Sequence, residues 1–179
     1  MRHLLAILLL FSSIKLPAQD LSKQKSIIDS IVQKIDSKKD SKVISFRIQA
    51  LKKVLHHLNY QCRVEKNSVV KIERRLKHFT DSIVQVFYFN KDQLVFSTET
   101  IVSYFDKKDS TDFSTWGGTY YFSKNKLIDY ITLGHGKSES DDPNSWDPEK
   151  EVLGHCAESK RDIARYKASN TGTAAISNQ

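Results

Sequence analysis

The sequence has few of the residues that mark specialised folds: its 179 residues include two cysteines, three prolines, six glycines and one methionine. Two cysteines are too few for a disulfide-framework miniprotein, and they cannot by themselves complete a four-ligand zinc site. The scarcity of glycine and proline excludes collagen-like and low-complexity chains, while an apolar fraction of 39% excludes an intrinsically disordered chain. The length therefore predicts one globular domain with its own hydrophobic core.

Residues 1–19 have the order of a secretory signal peptide. A basic start at Arg2 is followed by the apolar run 4–11 (LLAILLLF) and then by a stretch of small residues. The run is shorter than the roughly 20 residues that a membrane-spanning helix needs, and no second long apolar run follows. We expect cleavage after Ala18 or Gln19, no membrane span in the mature chain, and a periplasmic or secreted location. A buried N-terminal helix is the alternative interpretation.

Loss of the signal peptide changes the charge of the chain. The formal net charge of +7 becomes +5 when Arg2 and Lys15 are subtracted. The isoelectric point near 9.3 is the only feature that suggests nucleic-acid binding. Because the predicted export argues against that class, we predict no nucleic-acid partner.

Hydrophobic periodicity predicts an α+β fold over residues 20–167. Apolar residues recur with a helical period in 21–58, although 43–48 (VISFRI) also fits a strand. From about residue 61 the period changes to two, which predicts an antiparallel β-meander of five or six strands.

The C-terminal region predicts one further helix, packed on the sheet. Asp147 suits the N-cap, Pro148 suits the first turn, and apolar residues recur on one face of the segment that follows. Residues 168–179 lack large apolar side chains except Ile176, so we expect a flexible tail there.

A weak internal repeat supports the meander. Residues 87–95 (FYFNKDQLV) align without gaps on 120–128 (YYFSKNKLI), and 64–70 (VEKNSVV) repeat the pattern more faintly. Each copy predicts an aromatic strand, a polar turn and a returning aliphatic strand. Together with the flanking helices, this pattern resembles small exported bacterial proteins of the Bacteroidota type that have no assigned function. The resemblance covers residues 60–135; it implies a fold and a location but no catalytic residues.

The two cysteines are predicted to form a disulfide. An exported chain meets an oxidising compartment, where a Cys62–Cys156 bond would tie the last helix to the start of the sheet. Two buried, unpaired thiols are the alternative. A catalytic cysteine is not predicted, because His155 is adjacent to Cys156 in sequence and adjacent residues of a helix do not face each other.

Catalytic and metal-binding motifs are absent from the sequence. It contains no nucleophile elbow, P-loop, dinucleotide fingerprint or HExxH pattern, and its acidic loop lacks the spacing of a calcium site. We therefore predict no metal and no cofactor. His135, between two glycines, is the candidate for a small periplasmic hydrolase, with a carboxylate from Asp129, Asp141 or Asp142 orienting the imidazole.

The aromatic residues are concentrated in the predicted meander. Because side chains alternate between the two faces of a strand, about half of the rings belong to each face. One face must pack on the helices, and the other is expected to present rings for binding. The leading prediction is a non-enzymatic binding module that recognises a protein partner or an envelope glycan around Tyr104, Trp116 and Tyr120. The alternatives are the hydrolase at His135 and a carrier with an apolar cavity between helices and sheet.

Overall fold

The computed structural model describes five segments of the chain, namely residues 17–49, 57–78, 80–105, 113–134 and 146–176. They contain two helices, α1 (Pro17–Ser37) and α2 (Pro148–Ile176), and seven strands. The strands are β1 (Lys42–Gln49), β2 (His57–Glu65), β3 (Ser68–His78), β4 (Asp81–Asn90), β5 (Gln93–Tyr104), β6 (Phe113–Ser123) and β7 (Lys126–Gly134).

The seven strands form one antiparallel sheet in chain order, which confirms the α+β meander. The count exceeds the predicted five or six because residues 42–49 form a strand. The prediction of helix beyond Ser37 is wrong for this segment, which pairs with β2 along its whole length. Ile44 and Ile48 share one face in a helix and in a strand, because a spacing of four residues fits both periods. Residues 50–56 lie outside the described residues.

The two helices lie on opposite faces of the sheet. On the α1 face, the hydroxyls of Tyr88 and Tyr121 donate hydrogen bonds to Asp36 and Asp29 of α1. On the α2 face, aromatic and aliphatic side chains form the main core with α2. That core includes Phe46, Tyr60, Cys62, Ile72, Phe87, Phe89, Leu94, Trp116, Tyr120, Phe122, Val152, Cys156 and Ile163.

The three predicted hairpins are confirmed, and they share one backbone geometry. Each turn holds two consecutive residues with positive φ, which is the signature of a type I′ turn. Each hairpin also has a register shift three residues before its turn. The turn residues are Lys66 (46°) and Asn67 (69°), Lys91 (50°) and Asp92 (63°), and Lys124 (53°) and Asn125 (60°).

Helix α1 contacts successive hairpins at a spacing that matches the distance between the hairpins. The residues at equivalent positions of the three copies, Arg63, Tyr88 and Tyr121, all hydrogen-bond to α1. The two tyrosines reach Asp36 and Asp29, which are seven residues apart and therefore about 10.5 Å along the helix. One hairpin occupies two strand spacings, or roughly 9.5 Å. The helix therefore meets successive hairpins with the same side of its surface.

Helix α2 begins where the sequence predicts. The Asp147 carboxylate accepts a hydrogen bond from the Lys150 amide at 3.0 Å, as an N-cap does. The helix extends to Ile176, through most of the stretch for which composition predicts a flexible tail. Neither of the two described helices is long and apolar enough to cross a membrane.

Candidate functional site

The predicted binding residues do not share a surface. Trp116 and Tyr120 are 3% and 1% exposed, because both side chains point to the face that α2 covers. The prediction that they form an exposed aromatic face is therefore wrong. Tyr104 lies three residues beyond Ile101, the register partner of Trp116, and so points to the α1 face. There its ring centroid lies 6.0 Å from that of Phe113.

The predicted disulfide is also wrong: Cys62 and Cys156 are both free and buried. Cys62 lies on β2 opposite Ile72 and Cys156 lies on α2; both belong to the core between the sheet and α2, but the two cysteines are not close enough to bond. Burial raises the pKa of each thiol to about 11. Both thiols are therefore protonated and unreactive near neutral pH.

The predicted hydrolase centre lies mostly outside the described residues, since His135, Asp141 and Asp142 belong to the segment 135–145. Of its predicted carboxylates, Asp129 is described. It forms an ion pair of 2.5 Å with Lys25 on the α1 face. The hydrolase at His135 stays a prediction.

A row of buried polar side chains crosses the centre of the α2 face. Arg74, Gln85 and Glu99 stand side by side on β3, β4 and β5, as the strand register requires. Arg74 Nη1 donates to Gln85 Oε1 at 2.9 Å, and Gln85 Nε2 donates to Glu99 Oε1 at 2.8 Å. The amide thus links a buried cation to a buried carboxylate, which is how buried charges are usually compensated.

Helix α2 adds three polar side chains from one of its faces to this row. Glu151, His155 and Glu158 follow each other at helical spacing. Arg74 Nη2 donates to Glu158 Oε2 at 2.7 Å, and Arg74 Nη1 lies 3.0 Å from His155 Nδ1. The ligand atoms of Glu99, Glu151 and His155 lie within 4.8 Å of one another.

Glu99, Glu151 and His155 are the residues that would hold a metal ion. The hydrogen bonds of His155, however, disfavour metal binding. A guanidinium only donates, so His155 Nδ1 accepts from Arg74 and the ring proton belongs on Nε2. That nitrogen faces Glu151 Oε1 at 3.6 Å. A metal on Nε2 would move the proton to Nδ1, against the Arg74 donor, whereas metal-bound histidines normally donate from their other nitrogen. The arrangement favours a hydrogen-bonded network over a metal centre.

Aromatic rings border the carboxylates beside β7. The Trp146 indole donates to Glu151 Oε2 at 2.7 Å. Its ring centroid lies 5.9 Å from that of Trp116 and 5.8 Å from that of Tyr130, both edge to face. Tyr130 is 46% exposed, so the group opens to solvent at this edge. We call Glu99, Tyr130, Trp146, Glu151 and His155 the carboxylate–aromatic cluster.

Gly118 lets Tyr120 approach this cluster. Gly118 pairs with Glu99 in the strand register, and a Cβ added to it would meet the Tyr120 hydroxyl at 2.3 Å. The phenol ring therefore occupies the space above the glycine, beside Glu99. Burial raises the pKa of Tyr120, and the negative charges of Glu99 and Glu151 raise it further. The hydroxyl is therefore a proton donor throughout the physiological pH range.

The chain matches no protein-family model, no curated protein and no solved structure. The fold and the cluster together describe an α+β protein in which a meander lies between two helices and a polar row is buried under the second helix, α2.

Proposed function

We propose that the protein is an exported binding module that recognises an envelope glycan at the carboxylate–aromatic cluster. The observation that carries this proposal is the contact of the exposed Tyr130 ring with Trp146, whose indole donates to Glu151, the carboxylate that lies beside His155 Nε2. Sugars present a flat face of C–H groups and a rim of hydroxyls. Aromatic rings cover the first, and carboxylates accept hydrogen bonds from the second.

The charge of the site narrows the ligand further. Three carboxylates belong to the polar row and its border: Glu158 accepts from Arg74, Glu99 accepts from the Gln85 amide, and Glu151 accepts from the Trp146 indole. His155 offers an N–H donor at Nε2. Such a surface suits neutral or amino sugars that bring hydroxyl and ammonium donors, and it disfavours sulfated or phosphorylated glycans.

A hydrolase at the same cluster is the second candidate. The carboxylate oxygens of Glu99 and Glu151 lie within 4.8 Å of each other, near the roughly 5 Å that separates the two carboxyl groups of retaining glycosidases. Burial weighs against it, because Glu99 is only 4% exposed and a catalytic carboxylate must touch its substrate. Binding is therefore the better-supported function.

The test is titration of the chain 20–179 with chitotetraose, with the deacetylated glucosamine tetramer and with purified peptidoglycan fragments. Tyr130→Ala removes an exposed ring without opening the core, and Glu151→Gln removes one charge. We expect each substitution to weaken glycan binding at least about tenfold, since interface rings and charged contacts dominate such affinities. Tyr104→Ala, on the opposite face, is the matched control and should bind like the unmodified chain.

Two results would overturn the proposal: no binding of any of these glycans by the unmodified chain, or equal binding by the Tyr130→Ala variant with an unchanged thermal midpoint. Release of new reducing ends during the titration, lost in Glu151→Gln, would instead establish the hydrolase.

A further inference from the structure

The turns of the three hairpins lie in a row along one end of the sheet. The hairpins β2–β3, β4–β5 and β6–β7 are neighbours in the strand order, so their turns emerge at the same end. Successive turns are two strand spacings apart, and the row of three therefore spans roughly 19 Å. The turns with their flanking residues are 65–68 (EKNS), 90–93 (NKDQ) and 123–126 (SKNK). We call these three segments the turn rim.

A lysine occupies the same position in every turn of the rim. Lys66, Lys91 and Lys124 have φ values of 46°, 50° and 53°, so their side chains start from a similar backbone conformation in each hairpin. All three side chains are exposed, and none of them forms an ion pair or a hydrogen bond with the residues that the structure describes. Three lysines without a partner therefore follow one another along the rim at intervals of about 10 Å.

The backbone makes lysine an unfavourable residue at these positions. Positive φ suits glycine, asparagine and aspartate, whereas a longer side chain raises the energy of this conformation. The second position of each turn follows that rule, with Asn67, Asp92 and Asn125. The first position departs from it in all three hairpins. A locally unfavourable residue at a repeated, exposed position points to a function of its side chain.

Further lysines extend the row at both ends. Residues 38–42 (KKDSK), which join α1 to the start of β1, line a cleft of about 490 Å³ together with Lys66. Lys38 in this cleft pairs with Glu65. Among the described residues of the rim and of 38–42, six other lysines have no such partner, and they face two acidic residues, which leaves a surplus of four positive charges. The lysines are Lys39, Lys42, Lys66, Lys91, Lys124 and Lys126, and the acidic residues are Asp40 and Asp92.

We propose that the turn rim binds a linear acidic polysaccharide, a chain of uronic acids. Lysine ammonium groups attract carboxylates as point charges and need no fixed geometry, while the asparagine, serine and glutamine side chains between them can bond to sugar hydroxyls. No residue of the rim is apolar or aromatic. The rim therefore offers neither the apolar surface with which proteins insert into a bilayer nor the rings on which nucleic-acid bases stack.

The spacing of the lysines favours a polymer over a single sugar. An exposed ion pair contributes little by itself. One polyuronate chain presents carboxylates at regular intervals and can reach all three turns, so the separate contacts add as a multivalent interaction. The inference does not rest on the proposed site at the carboxylate–aromatic cluster, because that cluster lies on the α2 face and carries carboxylates.

The test is titration calorimetry of the chain 20–179 with a galacturonate oligomer long enough to span the rim. The fully methyl-esterified oligomer is the uncharged control, and digalacturonate is too short to connect the first turn with the third. We expect the oligomer to bind at least about tenfold more tightly than either of these ligands, since the interaction is electrostatic and multivalent.

The decisive variant replaces all three turn lysines with asparagine (Lys66→Asn, Lys91→Asn and Lys124→Asn). It should weaken binding of the oligomer at least about tenfold. Because asparagine suits positive φ, the thermal midpoint of this variant should be at least as high as that of the unmodified chain, so loss of binding cannot be attributed to unfolding. The corresponding triple arginine variant keeps the charges and should bind the oligomer within about threefold of the unmodified chain.

The matched control removes three exposed basic residues that lie outside the rim, with Arg47→Gln, Arg75→Gln and Lys77→Gln. It changes the net charge by the same amount and should alter binding of the oligomer by less than about twofold, because charges separated by more than a Debye length are screened. An equal loss of affinity in this control would show that net charge alone attracts the oligomer, and it would overturn the rim as the site.

Three further results would overturn the proposal: unchanged oligomer binding by the asparagine variant, equal affinity for the methyl-esterified oligomer, or tighter binding to phosphatidylglycerol vesicles than to the oligomer. The last result would identify a membrane surface as the partner. Chitotetraose titrations of the asparagine variant should match those of the unmodified chain, which separates failure of this inference from failure of the proposed function.

Discussion

Arg74 is the residue on which the polar row depends. Its guanidinium donates to Gln85 and Glu158 and lies against His155, so three side chains from two elements share one cation. Its neighbour Arg75 has the same chemistry on the other face of β3. The side chains of Arg74 and Arg75 are 8% and 64% exposed, respectively. The pair therefore separates the effect of burial from the effect of charge.

Replacing Arg74 with Met should destabilise the fold by about 3 kcal/mol, because removing one partner of a buried network leaves the others unsatisfied. Arg75→Met breaks an exposed pair with Glu73 and should cost less than about 1 kcal/mol. Urea unfolding of both variants measures the difference. Equal losses would show that the buried row contributes nothing beyond a surface charge.

The sequence carried a signal for this row. Arg74 lies between Ile72 and Leu76 at the two-residue spacing of a strand, so it is in phase with the apolar stripe and not with the polar one. Gln85 is similarly in phase with Phe87. A polar residue in phase with core residues is a buried group that needs a partner. The identity of that partner was not predictable, because α2 reaches the row only through tertiary packing.

The burial of Trp116 and Tyr120 shows a related limit of prediction from the sequence. Strand alternation predicts which residues share a face, and these two do share one. It does not predict which face a helix covers. In this fold α1 and α2 cover opposite faces, so burial on one of them is decided by the helices and not by the strand.

At the scale of elements, the prediction from the sequence is correct for the hairpins and wrong for the first strand, because only the hairpins carry a local signal that is independent of packing. Ile44 and Ile48 satisfy the helical and the strand period together, and burial of Phe46 between them resolves the ambiguity only in the folded chain. The hairpins carry an additional local signal, since polar pairs between aromatic and aliphatic runs specify a turn. Positive φ at both central residues shows that these turns are of type I′.

The first position of each hairpin turn is suboptimal. Lys66, Lys91 and Lys124 adopt positive φ, a region in which asparagine and glycine are favoured over lysine. Lys124→Asn should therefore stabilise the protein by about 0.5 kcal/mol, measured as a higher urea midpoint. Lys126→Asn, just after the same turn at the start of β7, is the control and should give no gain. A loss of stability in Lys124→Asn would contradict the assigned turn geometry.

At the scale of the whole molecule, the hairpin repeat explains why one helix fits each face. Successive hairpins place equivalent side chains about 10 Å apart. Asp29 and Asp36, which accept hydrogen bonds from two of these side chains, lie at the same spacing along α1. On the other face α2 contacts the third hairpin through Glu149 and β1 through Tyr166, whose ring stacks on Phe46 at 4.3 Å. Both helices therefore tie strands from distant parts of the meander together.

The contacts of α1 also bear on the predicted signal peptide. Among the α1 side chains that the structure describes, Leu21 and Lys25 lie beside Asp129 of the sheet, beyond the proposed cleavage after Ala18 or Gln19. The chain 20–179 keeps these contacts of α1, so its free energy of unfolding in urea should equal that of the full chain within about 0.5 kcal/mol. A Gram-negative host that makes the full chain should yield envelope protein whose intact mass corresponds to a start at Gln19 or Asp20. Leu8→Arg, which interrupts the apolar run, should keep the protein in the cytoplasm uncleaved. Envelope protein that retains residues 1–19 would contradict the signal peptide and favour the buried N-terminal helix instead.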